Sequence, residues 1–77
     1  MELDDEDLKT LSEARGRAQR LVAELRRRQA EIDANPPDVP ADQLAAGRVA
    51  MQKAIASAER ALQSLDEALK IAVGPLH

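Results

Sequence analysis

The chain has 77 residues, a formal net charge of −3, 32% charged residues and no Phe, Trp, Tyr or Cys. That length has room for one small domain, marginal when alone, and the missing cysteines exclude disulfides and thiolate metal sites. The acidic start argues against a Sec-type signal peptide, no apolar run of about 18 residues exists to span a membrane, and the negative balance disfavours nucleic acid as main partner.

Residues 1–9 (MELDDEDLK) gather acids, which suit a helix N-terminus because its unpaired amides and dipole favour negative charge. Asp4 or Asp5 can cap a helix there, or Thr10 or Ser12 a later one; an acidic arm for a basic partner is the alternative. From Leu11 to Ile32 an apolar seam follows helical spacing: Leu11, Ala14, Ala18, Leu21, Leu25, Arg28 and Ile32, with Leu8 and Val22 on one flank. Gly16 falls on the opposite, solvent side. Asn35-Pro36-Pro37-Asp38-Val39-Pro40 is the break, since a residue before proline avoids the helical region. Pro40 suits the first position of a second helix, and Gly74 followed by Pro75 its stop. The expected layout is one all-α, antiparallel two-helix hairpin domain over residues 1–77: helix 1 about 5–34, turn 35–40, helix 2 about 41–73.

The second helix carries two stripes. Leu44, Met51, Ile55, Ala58, Leu62, Leu65, Leu69 and Ala72 recur at three- and four-residue steps, broken at Arg48. Beside them Gly47, Ala54, Ala61 and Ala68 repeat every seven residues, bordered by Ala50, Ser57 and Ser64. Facing positions of an antiparallel pair have numbers with a constant sum. With a sum of 76, Ile32 meets Leu44, Leu25 meets Met51, Leu21 meets Ile55, Ala18 meets Ala58, Ala14 meets Leu62 and Leu11 meets Leu65. The remaining layer holds Arg28 and Arg48. Either their methylenes lie on the seam while the heads reach water, Glu24 and Glu31, or the pair binds a partner carboxylate.

No catalytic constellation is present in the sequence. His77, the only histidine, is the last residue, and Ser12, Ser57 and Ser64 have no base beside them. The acids of residues 2–7 lack the ligand pattern and turn glycine of a calcium loop, and there is no glycine-rich phosphate loop. The expectation is a protein without enzymatic activity, cofactor or metal. Arg26-Arg27-Arg28 fan over about 200° of the helix without aromatic stacking, which disfavours nucleic-acid binding.

Function then falls to a protein-binding surface. The apolar residues left outside the seam are Leu8, Val22, Gly47, Ala50, Ala54, Ala61, Ala68 and Ile71. Either two copies pack into a four-helix bundle through them or the hairpin docks on another chain.

The runs SEARGRAQRLVAELRRRQAEIDAN and PADQLAAGRVAMQKAIASAERALQSL, joined by a Pro/Asp-containing break, resemble the E-type co-chaperones of bacterial type III secretion needles (the YscE/SsaE/EscE group). The similarity spans roughly Ser12 to Leu69. It rests on chain size, on Leu25, Arg28 and Ile32 ending the first helix, and on Gln52, Ala54, Ile55, Ala58 and Glu59 in the second. Leu44 stands where such proteins often have a tyrosine. The resemblance implies a helical hairpin in the bacterial cytoplasm that binds a tetratricopeptide-like chaperone and, through it, helps keep the needle subunit monomeric before export. A needle or rod-like subunit, also a hairpin with a proline-bearing turn, is the competing family reading. A self-associating structural hairpin with no secretion role is the third.

Overall fold

The computed structural model describes residues 4–73. Two helices, α1 (Asp5–Ala34) and α2 (Ala41–Val73), pair as an all-α antiparallel hairpin. The acids at the start act locally. Asp4 is the N-cap of α1, its Oδ1 accepting from the Asp7 N–H at 2.8 Å, and Asp5, Glu6 and Asp7 fill the first turn where the dipole favours them. At the other end the Asn35 N–H donates to the Glu31 carbonyl at 2.9 Å before Pro36 prevents another turn. The turn is tightened by the Val39 N–H donating to the Pro37 carbonyl at 2.9 Å. Pro40 stands just before α2 and its carbonyl accepts from the Leu44 N–H at 3.0 Å. The expected stop at Gly74 and Pro75, and the His77 tail, lie outside the described residues.

Packing is thin. Among the described residues only Ile55 (8% exposed) and Ala58 (7%) are buried. The α2 seam is otherwise half-buried at Leu44, Met51, Leu62, Leu65, Leu69 and Ala72. The α1 seam differs from the expected one. Leu21 is 51% exposed, and Arg28 is exposed as well. The half-buried row is instead Leu8, Leu11, Arg15, Ala18, Val22, Leu25, Gln29 and Ile32, with Ala14 of the expected face half-buried at its border. Relative to the expected face, α1 is turned by about 50°, half the angle between the rows of Val22 and Leu21. The cause is electrostatic as much as apolar. The expected orientation sets Arg28 and Arg48, two like charges, in one layer; the observed one buries parts of Leu8 and Val22 and releases Arg28 to water and to Glu24, whose Oε1 accepts from Arg28 Nε at 3.0 Å. Gly16 is not fully on the solvent side; it is half-covered, and an added Cβ would lie 3.5 Å from Arg20 Nη1.

The register is also shifted. Arg15 pairs with Asp66, Arg26 with Glu59, and Asp33 with Arg48 at 3.3 Å. Their residue numbers add to 81, 85 and 81. In the register of sum 76, Glu59 would lie nine residues, about 13 Å of helix rise, beyond the level of Arg26, too far for two side chains that must also span the gap between helices. Layers summing to about 80 satisfy all three, with long side chains leaning toward their own N-termini. This register sets Leu25 across from Ile55 and Val22 across from Ala58, the two best-buried positions of α2. It differs from the expected register by one helical turn.

The hairpin is one helix thick, 55 × 20 × 14 Å, with a radius of gyration of 17.2 Å. A compact chain of this length would have about 11.5 Å. Its accessible surface is 6039 Å², against about 4600 Å² for a compact monomer of its mass.

Candidate docking surface

Two flanks run beside the seam, and they differ. On one flank lie Arg26 and Asp33 of α1 and Glu59 and Asp66 of α2, and all three ion pairs that cross between the helices use it. Side chains there are 36–58% exposed, so each pair contributes little, on the order of 0–1 kcal/mol. Their directional effect is larger: they tie that edge of the two helices together and fix the register.

The opposite flank carries Asp7, Ala14, Leu21 and Arg28 from α1 and Gly47, Ala54, Ala61 and Ala68 from α2. Next to the α2 row lie Ala50, Ser57, Ser64 and Ile71. Gly47, Ala50, Ala54 and Ala61 are exposed, Ala68 is half-buried, and Ile71 is 80% exposed. A Cβ added at Gly47 would meet nothing within 4 Å, so the glycine leaves an open dent in this surface. Six of the eight expected surface residues therefore share one flank. The other two, Leu8 and Val22, are corrected: they are half-buried in the seam, because α1 is rotated. Leu21 takes the place they were expected to hold, a large apolar side chain exposed next to small ones. The sequence carried one sign of it, the clash of Arg28 with Arg48 when Leu21 is put inward.

Glu24 accepts from Arg27 Nη2 at 2.7 Å and from Arg28 Nε at 3.0 Å, and Arg27 also reaches Glu31. The Arg27 and Arg28 hydrogen bonds hold the Glu24 carboxyl below its ordinary value, and the same Glu24 contact raises Arg27. Arg26, Arg27 and Arg28 thus each face a carboxylate of this chain, and so does Arg48. The second Arg28/Arg48 reading, a shared cationic pocket, has no counterpart here, since the two guanidiniums bind Glu24 and Asp33 separately.

At the turn the helices splay around a cavity of about 130 Å³. Ile32, Pro37, Val39, Leu44, Gly47 and Met51 supply its apolar wall, with Gln29, Gln43 and the Asp33–Arg48 pair at its edge. Among the described residues no group of three or more His, Cys, Asp or Glu side chains is placed to hold a metal ion, and no helix is long and apolar enough to cross a membrane. No protein-family model, characterised protein or solved structure matches the chain.

Proposed function

We propose that this hairpin is a non-catalytic docking protein, and that its partner is a tetratricopeptide-like chaperone of a bacterial type III secretion system in the cytoplasm. In that role it stabilises the chaperone and helps keep the needle subunit monomeric. The observation that carries the docking role is the contrast of flanks: one tied by three ion pairs, the other presenting Leu21 and Ile71 among small residues. With Ile55 and Ala58 the only buried side chains among the described residues, the hairpin gains most from covering that second flank. The choice of partner comes from the resemblance of Ser12 to Leu69 to the E-type co-chaperones. Small residues at Gly47, Ala54 and Ala61 would let a helix of the partner's repeats come close.

The test is co-expression with a tetratricopeptide secretion chaperone and capture through a tag on that chaperone. Native chain should co-purify in equimolar amount; Ala61→Arg should stay helical by circular dichroism and lose capture. A native chain that fails to co-purify contradicts the chaperone reading. Filaments formed by the purified chain would favour the needle-subunit reading instead.

A further inference from the structure

We infer that the cavity at the turn binds a free aliphatic amino acid, with its side chain inside and its zwitterionic head on the Asp33–Arg48 pair. The inference does not depend on the identity of the proposed chaperone.

The cavity follows from the turn. Pro36 and Pro37 stop α1, so the helices diverge where Ile32 ends one apolar stripe and Leu44 begins the other. Val39 lines the space from the turn and is 41% exposed, and Met51 lines it from further along α2. Gly47 stands between Leu44 and Met51 without a side chain, and a Cβ there would meet nothing within 4 Å. The volume, about 130 Å³, is close to that of an engineered apolar cavity, about 150 Å³, that binds benzene. A leucine or isoleucine side chain fits such a space, and the thioether of Met51 adapts to either. An indole is too large.

The edge supplies the head group's partners. Arg48 Nε approaches Asp33 Oδ1 at 3.3 Å, longer than the roughly 2.7–2.9 Å of a charge-assisted hydrogen bond. Among the described residues neither side chain makes a second ion pair. The two Nη nitrogens of Arg48 and the Oδ2 of Asp33 are thus left for a ligand. An amino acid carries its ammonium and carboxylate on one carbon, so it presents opposite charges side by side, as this pair does. Its carboxylate suits the Arg48 fork and its ammonium suits Asp33, with the Gln29 and Gln43 amides alongside. An aliphatic acid without the ammonium would satisfy Arg48 but meet the like charge of Asp33. A leucine side chain of a docking protein would bring two neutral amides in place of both charges.

A nuclear magnetic resonance titration of the purified full chain with L-leucine, read at the Met51 and Val39 methyls, tests this. The shifts should saturate with a dissociation constant on the order of 0.1–1 mM, as expected for so small a ligand. Glycine, 4-methylpentanoate and N-acetyl-leucine amide should each bind at least about tenfold more weakly, having lost the side chain, the ammonium or both charges. Arg48→Gln should weaken leucine binding by a similar factor. Gly47→Leu should abolish binding by growing a side chain from the cavity wall, and it should keep the helical circular-dichroism signal because leucine is the better helix former. Shifts that do not saturate by about 10 mM leucine, or undiminished binding by Gly47→Leu, overturn the proposal. Equal binding of N-acetyl-leucine amide also overturns it, and would make the cavity a socket for a protein side chain instead.

Discussion

Arg15, Arg26 and Asp33 reach across one edge of the seam to Asp66, Glu59 and Arg48, while along the other edge Leu21 and Ile71 are left in water beside alanines. The two edges are equally long and belong to the same two helices. Their difference teaches that one edge is finished with polar groups that tolerate solvent, while the other exposes Leu21 and Ile71 beside small residues. Substitutions on the seam, on the apolar flank and on the ion-paired flank should therefore behave differently.

Ile55→Ala should have the largest effect on the isolated hairpin, roughly 2–5 kcal/mol, because Ile55 is one of two side chains buried among the described residues. For so small a domain that removes most of the stability, and the thermal melt should lose its cooperativity. Next comes the pair Val22→Ala and Leu21→Ala, measured by melts at a concentration where the chain is monomeric. Val22, half-buried in the seam, should cost about 1 kcal/mol; Leu21, 51% exposed, should stay within about 0.5 kcal/mol. Equal losses would erase the distinction between seam and flank.

Much of this was legible in the sequence, for local reasons. The break at Asn35–Pro40 follows from ring sterics, and the start of α1 from acids at a helix N-terminus. The α2 seam was legible because its large apolar residues, Leu44 to Leu69, fall on one stripe. On α1 two rows compete. Leu11, Ala18, Leu25 and Ile32 are common to both, while Leu8 and Val22 lie on one side of them and Ala14 and Leu21 on the other. Apolar content alone does not choose, and the choice is made by where Arg15, Arg28 and Asp33 find carboxylates or guanidinium across the gap. The register was illegible for a related reason. Sliding one seven-residue repeat past another by a turn again stacks apolar on apolar, so sums of 76 and 80 look alike until the flanking charges are paired.

On the ion-paired flank, Glu59→Gln should cost about 0.2–1 kcal/mol, reduced further in high salt because the pair is exposed. A loss of several kcal/mol in urea denaturation would mean that this flank carries the fold. The smallest effect is expected at Glu24. Its carboxyl is held below its ordinary value of 4.5 by Arg27 first and Arg28 second. The stabilisation it gives is present above the unfolded value and fades as pH falls through the folded one. Native chain should thus melt slightly above Glu24→Gln at pH 6, and the two should converge on acidification below about 4.5. Divergence toward low pH would reverse the sign.

The orientation of α1 is the central claim, and methyl nuclear Overhauser spectroscopy on a mixture of labelled and unlabelled chains reads it most directly. Contacts within one chain are expected from the Val22 methyls to the Ala58 methyl, and none from the Leu21 methyls to Ile55. Contacts from Leu21 to Ile55 within one chain would contradict it.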